Sequence, residues 1–176
     1  MTETRAPIRY RIVPERSHLW ADGHSTLHPI HLETDGFEGF IEADTTDGSL
    51  HLDVAPKASL ALDADRLKSG NGLYDYELER RLDMRRYPRI TGEVRSVVPV
   101  EGDNRVRVEG DLSFHGVTNR VQGDVTFRVL DADTIEIEGE KVIDMRSFGV
   151  KPPKMLILRV DPEIKIRARL VAERER

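Results

Sequence analysis

From residue 49 to the end of the chain, apolar side chains recur at every second position, a pattern that extended strands with one buried face satisfy and helices do not. Leu50, Leu52 and Val54 alternate with Ser49, His51 and Asp53, and Ala58, Leu60 and Leu62 follow in the same phase. Ile90 and Val94 oppose Arg89, Glu93 and Arg95, while Val106, Val108, Leu112 and Phe114 oppose Arg105, Arg107, Glu109 and Asp111. Val121, Val125, Phe127 and Val129, then Ile135, Ile137 and Ile143, then Ile164, Ile166, Ala168 and Leu170 extend the series. With Arg9–Val13, His18–Leu27 and Phe37–Ala43 at the front, about eight strands are expected. Glycine, asparagine, aspartate or proline marks the connections, as in Thr46-Asp47-Gly48, Glu101-Gly102-Asp103-Asn104 and Lys151-Pro152-Pro153-Lys154. Short antiparallel strands with one oily face must curl over it, as a closed barrel or a two-sheet sandwich; alternation alone fits both.

One segment departs from period two. From Leu73 to Arg86 the spacing is helical, with Tyr74, Leu78 and Leu82 on one stripe and Leu73, Tyr76, Met84 and Tyr87 on a second. Asn71-Gly72 precedes the segment and Pro88 stops it. A helix over 73–86 with two apolar sides has two things to touch. One is the barrel mouth; the other is a crevice, a ligand or a second copy of the chain, so a twofold contact is expected on the second stripe.

Composition removes several function classes. There is no cysteine, which excludes disulfides, thiolate metal sites and a thiol nucleophile. The net charge of −5 argues against a dedicated nucleic-acid binder, and no apolar run reaches the length of a membrane span, so neither nucleic acid nor stable membrane insertion is expected. The stretch Met1 to Arg11 is polar, with no apolar core of an export leader, and the cytoplasm is the expected compartment.

Candidate chemistry is sparse. His24 and His28 on one strand would sit about 13 Å apart, with His31 on the opposite face, a poor spacing for a metal. Ser113 and His115 share a strand face but lack a nucleophile elbow or an orienting carboxylate, and His115-Gly116 reads better as a tight hairpin with Gly116 at positive φ. Arg81 and Arg85, one helical turn apart, are placed to clamp an anion or to form a salt-bridged outer face. No cofactor and no catalytic group is expected.

Several of these stretches together resemble the YceI-like family of lipocalin-like polyisoprenoid-binding proteins. They are Ser17-His18-Leu19-Trp20, Phe37-Glu38-Gly39-Phe40-Ile41, Asn71-Gly72-Leu73-Tyr74-Asp75, Leu82 to Ile90, Gly110 to Thr118, Phe148-Gly149-Val150 and the closing strand Glu163–Ala172. The resemblance covers nearly the whole chain in order. It implies a single-domain, all-β, lipocalin-like antiparallel barrel of about eight strands with one helical segment, enclosing an isoprenoid such as a prenyl phosphate or a quinone tail. The candidate lining residues are Leu60, Leu62, Val94, Leu112, Phe114 and Val125, continuing with Phe127, Ile143, Phe148 and Ile166, and Leu78 and Leu82 from the helix. The expected function is non-enzymatic binding, carriage or sequestration of a long apolar ligand. The alternative is an interaction module whose barrel is packed solid.

Overall fold

The computed structural model describes residues 5–152, 154, 155 and 158–176, and of Met155 the backbone alone. The strands are β1 (Ile8–Ile12), β2 (His18–His24), β3 (Pro29–Thr34), β4 (Glu38–Ala43), β5 (Lys57–Asp63), β6 (Arg89–Pro99), β7 (Arg105–Phe114), β8 (Val117–Val129), β9 (Thr134–Asp144), the short β10 (Lys154–Met155) and β11 (Leu158–Arg159), and β12 (Glu163–Arg174). One helix, α1 (Gly72–Arg81), crosses between β5 and β6.

Of the two architectures that alternation admits, the chain adopts the barrel. The order β1-β4-β5-β6-β7-β8-β9-β12 closes because β12 also pairs with β1, every neighbour antiparallel. Closure removes the sheet edges that eight amphipathic strands would otherwise expose. β12 accomplishes this by its length. One edge takes β9 along its whole course, from Glu163 opposite Asp144 to Glu173 opposite Thr134. The other edge is shared: β2 covers Lys165–Arg169 and β1 covers Ala172–Arg174.

Between β1 and β2 the 3-10 turn Pro14–Arg16 breaks the ladder, and Ser17, fully buried, mends it. The Ser17 hydroxyl accepts from the Val171 N–H at 3.0 Å and donates to the Val171 carbonyl at 3.3 Å. A buried backbone group is thus paired where the strand is missing.

β2 and β3 form a hairpin that leaves the barrel wall, and β3's outer edge meets the chain again at the Glu33–Lys68 bridge. α1 lies over this end. Asn71 caps it by accepting from the N–H groups of Leu73 and Tyr74. Its last turn ends earlier than the spacing predicts. Asp83 takes a left-handed conformation (φ 46°), its N–H bonds the Arg80 carbonyl, and the Met84 N–H reaches back to Glu79. That double closure terminates the helix at Arg81, not Arg86, and folds Met84 into the core at 8% exposure. Tyr87 rests edge-on against His115. The expected second apolar stripe is therefore reduced to the exposed Leu73 and Tyr76, and a twofold contact through all four residues is not supported.

Two further expectations are corrected. Residues 49–54 do not form a strand: a turn at Thr46–Gly48, with Asp47 and Gly48 both at positive φ, leaves a single bridge between His51 and Asp44. β2 stops at His24, and β3, hidden in the sequence by Pro29 and the flanking histidines, is a strand of its own. Pro153, in the expected Lys151–Lys154 connection, lies outside the described residues.

The β7–β8 hairpin has the expected two-residue turn, His115 and Gly116 both at positive φ. A Cβ at Gly116 would stand 2.4 Å from the Tyr87 ring, so glycine is required there by space as well as by backbone. At Gly39, where β4 meets β5, a Cβ would fall 1.9 Å from the Ser59 carbonyl oxygen.

Candidate ligand-binding site

The barrel is hollow. The inward face of β2 reads Leu19, Ala21, Gly23, that of β6 Ile90, Gly92, Val94, and that of β8 Gly123, Val125, Phe127; at these three glycines the inward position is open. Cβ atoms built at Gly23 or Gly92 would meet nothing within 4 Å, and at Gly123 only the Lys141 stem at 3.9 Å. Two spaces result. Chamber 1, of about 250 Å3, lies under α1 and the β2–β3 hairpin; chamber 2, of about 290 Å3, lies between β5 and β9 toward the other end. Ile143 and Ile166, on the neighbouring strands β9 and β12, line both, so the chambers abut at these two side chains.

The candidate lining residues distribute between them. Leu78, Leu82, Leu112, Phe114 and Phe148 line chamber 1, Leu60, Val94, Val125 and Phe127 line chamber 2, and Ile143 and Ile166 line both. Leu62 lines neither: it is 2% exposed and packed into the core cluster with Ala64 and Leu67. Alternation gives the face of a strand but not the depth along the barrel, and Leu62 shares Leu60's face at a level where the interior is filled. The sequence reading missed Ala21, Gly23, Ile30, Leu158 and Val160 in chamber 1 and Gly123, Gly139 and Ala168 in chamber 2. For Ala21, Gly23, Gly123, Gly139 and Ala168, small residues at inward positions were the available signal.

Polar groups stand at the margins. In chamber 1, Glu77 and Arg81 on α1 contribute their stems and pair with each other at 3.6 Å. The Tyr74 hydroxyl is hydrogen-bonded to His28 Nε2 across the gap between α1 and the β2–β3 turn. Chamber 2 has Lys57, Asp124, Glu140 and Lys141 at its margin. Asp124 is engaged outward, accepting from Arg107 at 2.8 Å, and that bond holds its carboxyl below the usual carboxylate range.

The other chemical candidates do not converge. His31 Nδ1 meets Asp22 at 2.5 Å, His28 faces Tyr74, and His24 ends β2, so the three histidines of this stretch do not converge. Among the described residues no cluster of metal-ligating side chains forms. Ser113 Oγ is bonded to Thr118 at 2.6 Å, while His115 Nδ1 is bonded to the Phe148 carbonyl at 3.0 Å. The two are not brought together. Arg81 turns to Glu77, and no anion clamp with Arg85 is built.

A closed, up-and-down antiparallel barrel with an apolar hollow and a helix over one end defines the architecture of proteins that enclose small apolar molecules. The YceI-like domain model matches residues 10–172, and the chain belongs to the YceI-like family. Among solved structures it is similar to BcnA of Burkholderia cenocepacia, at 20% identity over 91% of this chain and 98% of that one, with a TM-score of 0.75. A polyisoprenoid binding domain from Saccharophagus degradans implicated in plant cell wall breakdown aligns at 15% identity over 96% and 99% of the two chains, TM-score 0.74. The Campylobacter jejuni YceI protein aligns at 14% identity over 81% and 84%, TM-score 0.64. No curated protein matches the sequence.

Proposed function

We propose that this protein binds and carries a long apolar molecule, a polyisoprenoid chain such as that of a prenyl phosphate or an isoprenoid quinone, threaded through both chambers. The carrying observation is that two apolar spaces of about 250 and 290 Å3 abut at only two isoleucine side chains. Rotation of Ile143 and Ile166 would join them along the barrel axis. Each buried CH2 contributes roughly 0.8 kcal/mol, so three five-carbon units give about 12 kcal/mol, comparable to an association cost of roughly 4–15 kcal/mol. Shorter chains bind weakly on this arithmetic, and the ladder of affinities against chain length is the signature.

A head group has no place in the interior, whose walls are nearly all carbon, and stays at a mouth. The hollow itself favours this reading over a solid-packed interaction module. The separate engagements of Ser113 and His115 fit carriage without chemistry. Calorimetric titration with prenols of increasing length tests the proposal. Affinity rising steeply over the first few isoprene units is the expected result; heat signals absent at every length would refute it.

A further inference from the structure

The three most exposed large apolar side chains among the described residues are Leu27 at 61%, Leu73 at 60% and Tyr76 at 60%. All three sit at one end of the molecule. Leu27 tops the β2–β3 turn, which Ser25 holds tight by accepting from the His28 N–H and donating to its carbonyl. Leu73 and Tyr76 lie on the outer side of the first turns of α1, joined to that turn through Tyr74 and His28, whose rings meet edge-on at 5.4 Å. The β10–β11 hairpin completes the group: the Thr26 N–H bonds the Arg159 carbonyl at 3.0 Å, and the Arg159 N–H bonds Thr26 Oγ1 at 3.1 Å.

Charge at this end runs against the rest of the chain. The protein carries −5, yet residues 151–160 include Lys151, Lys154 and Arg159 and no acid. All three cations are exposed, and among the described residues none has an ion-pair partner. The nearby acids have partners other than these cations: Asp22 meets His31, Asp75 accepts from the Ser69 N–H and hydroxyl, Glu77 pairs with Arg81, and Asp161 accepts from the Glu163 N–H. Chamber 1 reaches this end on all three elements, through Gly23 and Ile30, Tyr74, and Leu158 and Val160.

We propose that this end docks on an anionic lipid bilayer, Leu27, Leu73 and Tyr76 entering the interface and Lys151, Lys154 and Arg159 meeting the head groups. A second copy is a poorer occupant, because a twofold contact here would set the three cations against their own images. A bilayer satisfies apolar and basic groups together and leaves chamber 1 facing hydrocarbon. That the docked state exchanges cargo rests on the function proposed above; the docking does not.

Each basic residue near an anionic surface is worth about fivefold in binding, so the three give about a hundredfold. The experiment is co-sedimentation of the full chain with phosphatidylcholine vesicles, with and without an equal share of phosphatidylglycerol. Binding is expected with phosphatidylglycerol, about a hundredfold weaker without it, and weakened by high salt. The double variant Lys154→Glu/Arg159→Glu and the double variant Leu27→Asp/Tyr76→Asp are each expected to lose it, whereas Val142→Asp, at an exposed apolar position elsewhere, keeps it. Thermal melts establish that the variants fold. Binding of prenol from water by the same variants is expected at the parent level, so failure of docking and failure of cargo binding are separately read. Equal sedimentation with both vesicles, retention by either double variant, or self-association in ultracentrifugation that Leu27→Asp/Tyr76→Asp abolishes would overturn the proposal.

Discussion

Replacing Gly23 by leucine perturbs ligand and fold in opposite directions, and the structure sets both magnitudes. Gly23 lies on the inward face of β2, lines chamber 1, and has nothing within 4 Å of the position its Cβ would take. The leucine side chain would fill space that about four ligand carbons occupy, and at roughly 0.8 kcal/mol per CH2 the loss is about 3 kcal/mol, or about two orders of magnitude in affinity. The fold gains instead. Removing a glycine from a strand interior contributes roughly 0.5–1 kcal/mol, and covering a leucine with apolar neighbours contributes roughly 1.5–3 kcal/mol. Calorimetry with a C20 prenol gives the first quantity and urea unfolding the second. Gly123→Leu makes the same test in chamber 2. Undiminished affinity in both variants would place the ligand outside the barrel, and marked destabilisation of Gly23→Leu would mean that the space is not there.

Three further outcomes follow from the fold. Ser17→Ala strands the buried Val171 N–H where β1 gives way to β2, and a loss of about 1–3 kcal/mol is expected in denaturant unfolding. Gly116→Ala pushes a methyl group against the Tyr87 ring at a positive φ and is expected to cost more than about 1 kcal/mol, whereas His115→Asn, a residue that tolerates the left-handed region, retains the turn and loses chiefly the bond to the Phe148 carbonyl; paired melting curves separate them. On the outer wall, hydrogen bonds from Arg120 and Arg95 hold the Asp111 carboxyl below its ordinary 3.8, as Arg107 does for Asp124 and Arg146 for Asp144. Their stabilisation is present above that ordinary value and is lost as pH falls through the lowered folded values, so stability should decline below about pH 4 and Asp111→Asn should flatten that decline in an acid titration followed by circular dichroism.

The wall of the barrel was legible because β5 to β9 and β12 alternate, with a bulge in β6 between Val94 and Ser96, and eleven of the twelve candidate lining residues face a chamber. What alternation could not give was depth, as Leu62 illustrates, or emptiness. Gly23 in chamber 1 and Gly123 in chamber 2 leave inward positions bare, and a glycine in a strand is read from sequence as a weak point rather than as a void. β3 was lost to Pro29, which sequence rules treat as a stop although a strand can begin on it. The helix was drawn too long because its end depends on Asp83 adopting a left-handed conformation, which aspartate does seldom enough that nothing in Leu82-Asp83-Met84 announces it. The exposed triad of Leu27, Leu73 and Tyr76 is tertiary in origin: Leu27 comes from one hairpin and the other two from the helix, and only the Tyr74–His28 contact brings them to one rim.

Whether the barrel holds an apolar molecule is the question that decides its function most directly. Native mass spectrometry of freshly purified protein, followed by solvent extraction and lipid identification, measures this. One apolar molecule per chain, either retained from the cell or acquired on incubation with prenyl phosphates and isoprenoid quinones, is the expected result. A clean ligand-free mass that persists through those incubations would contradict it.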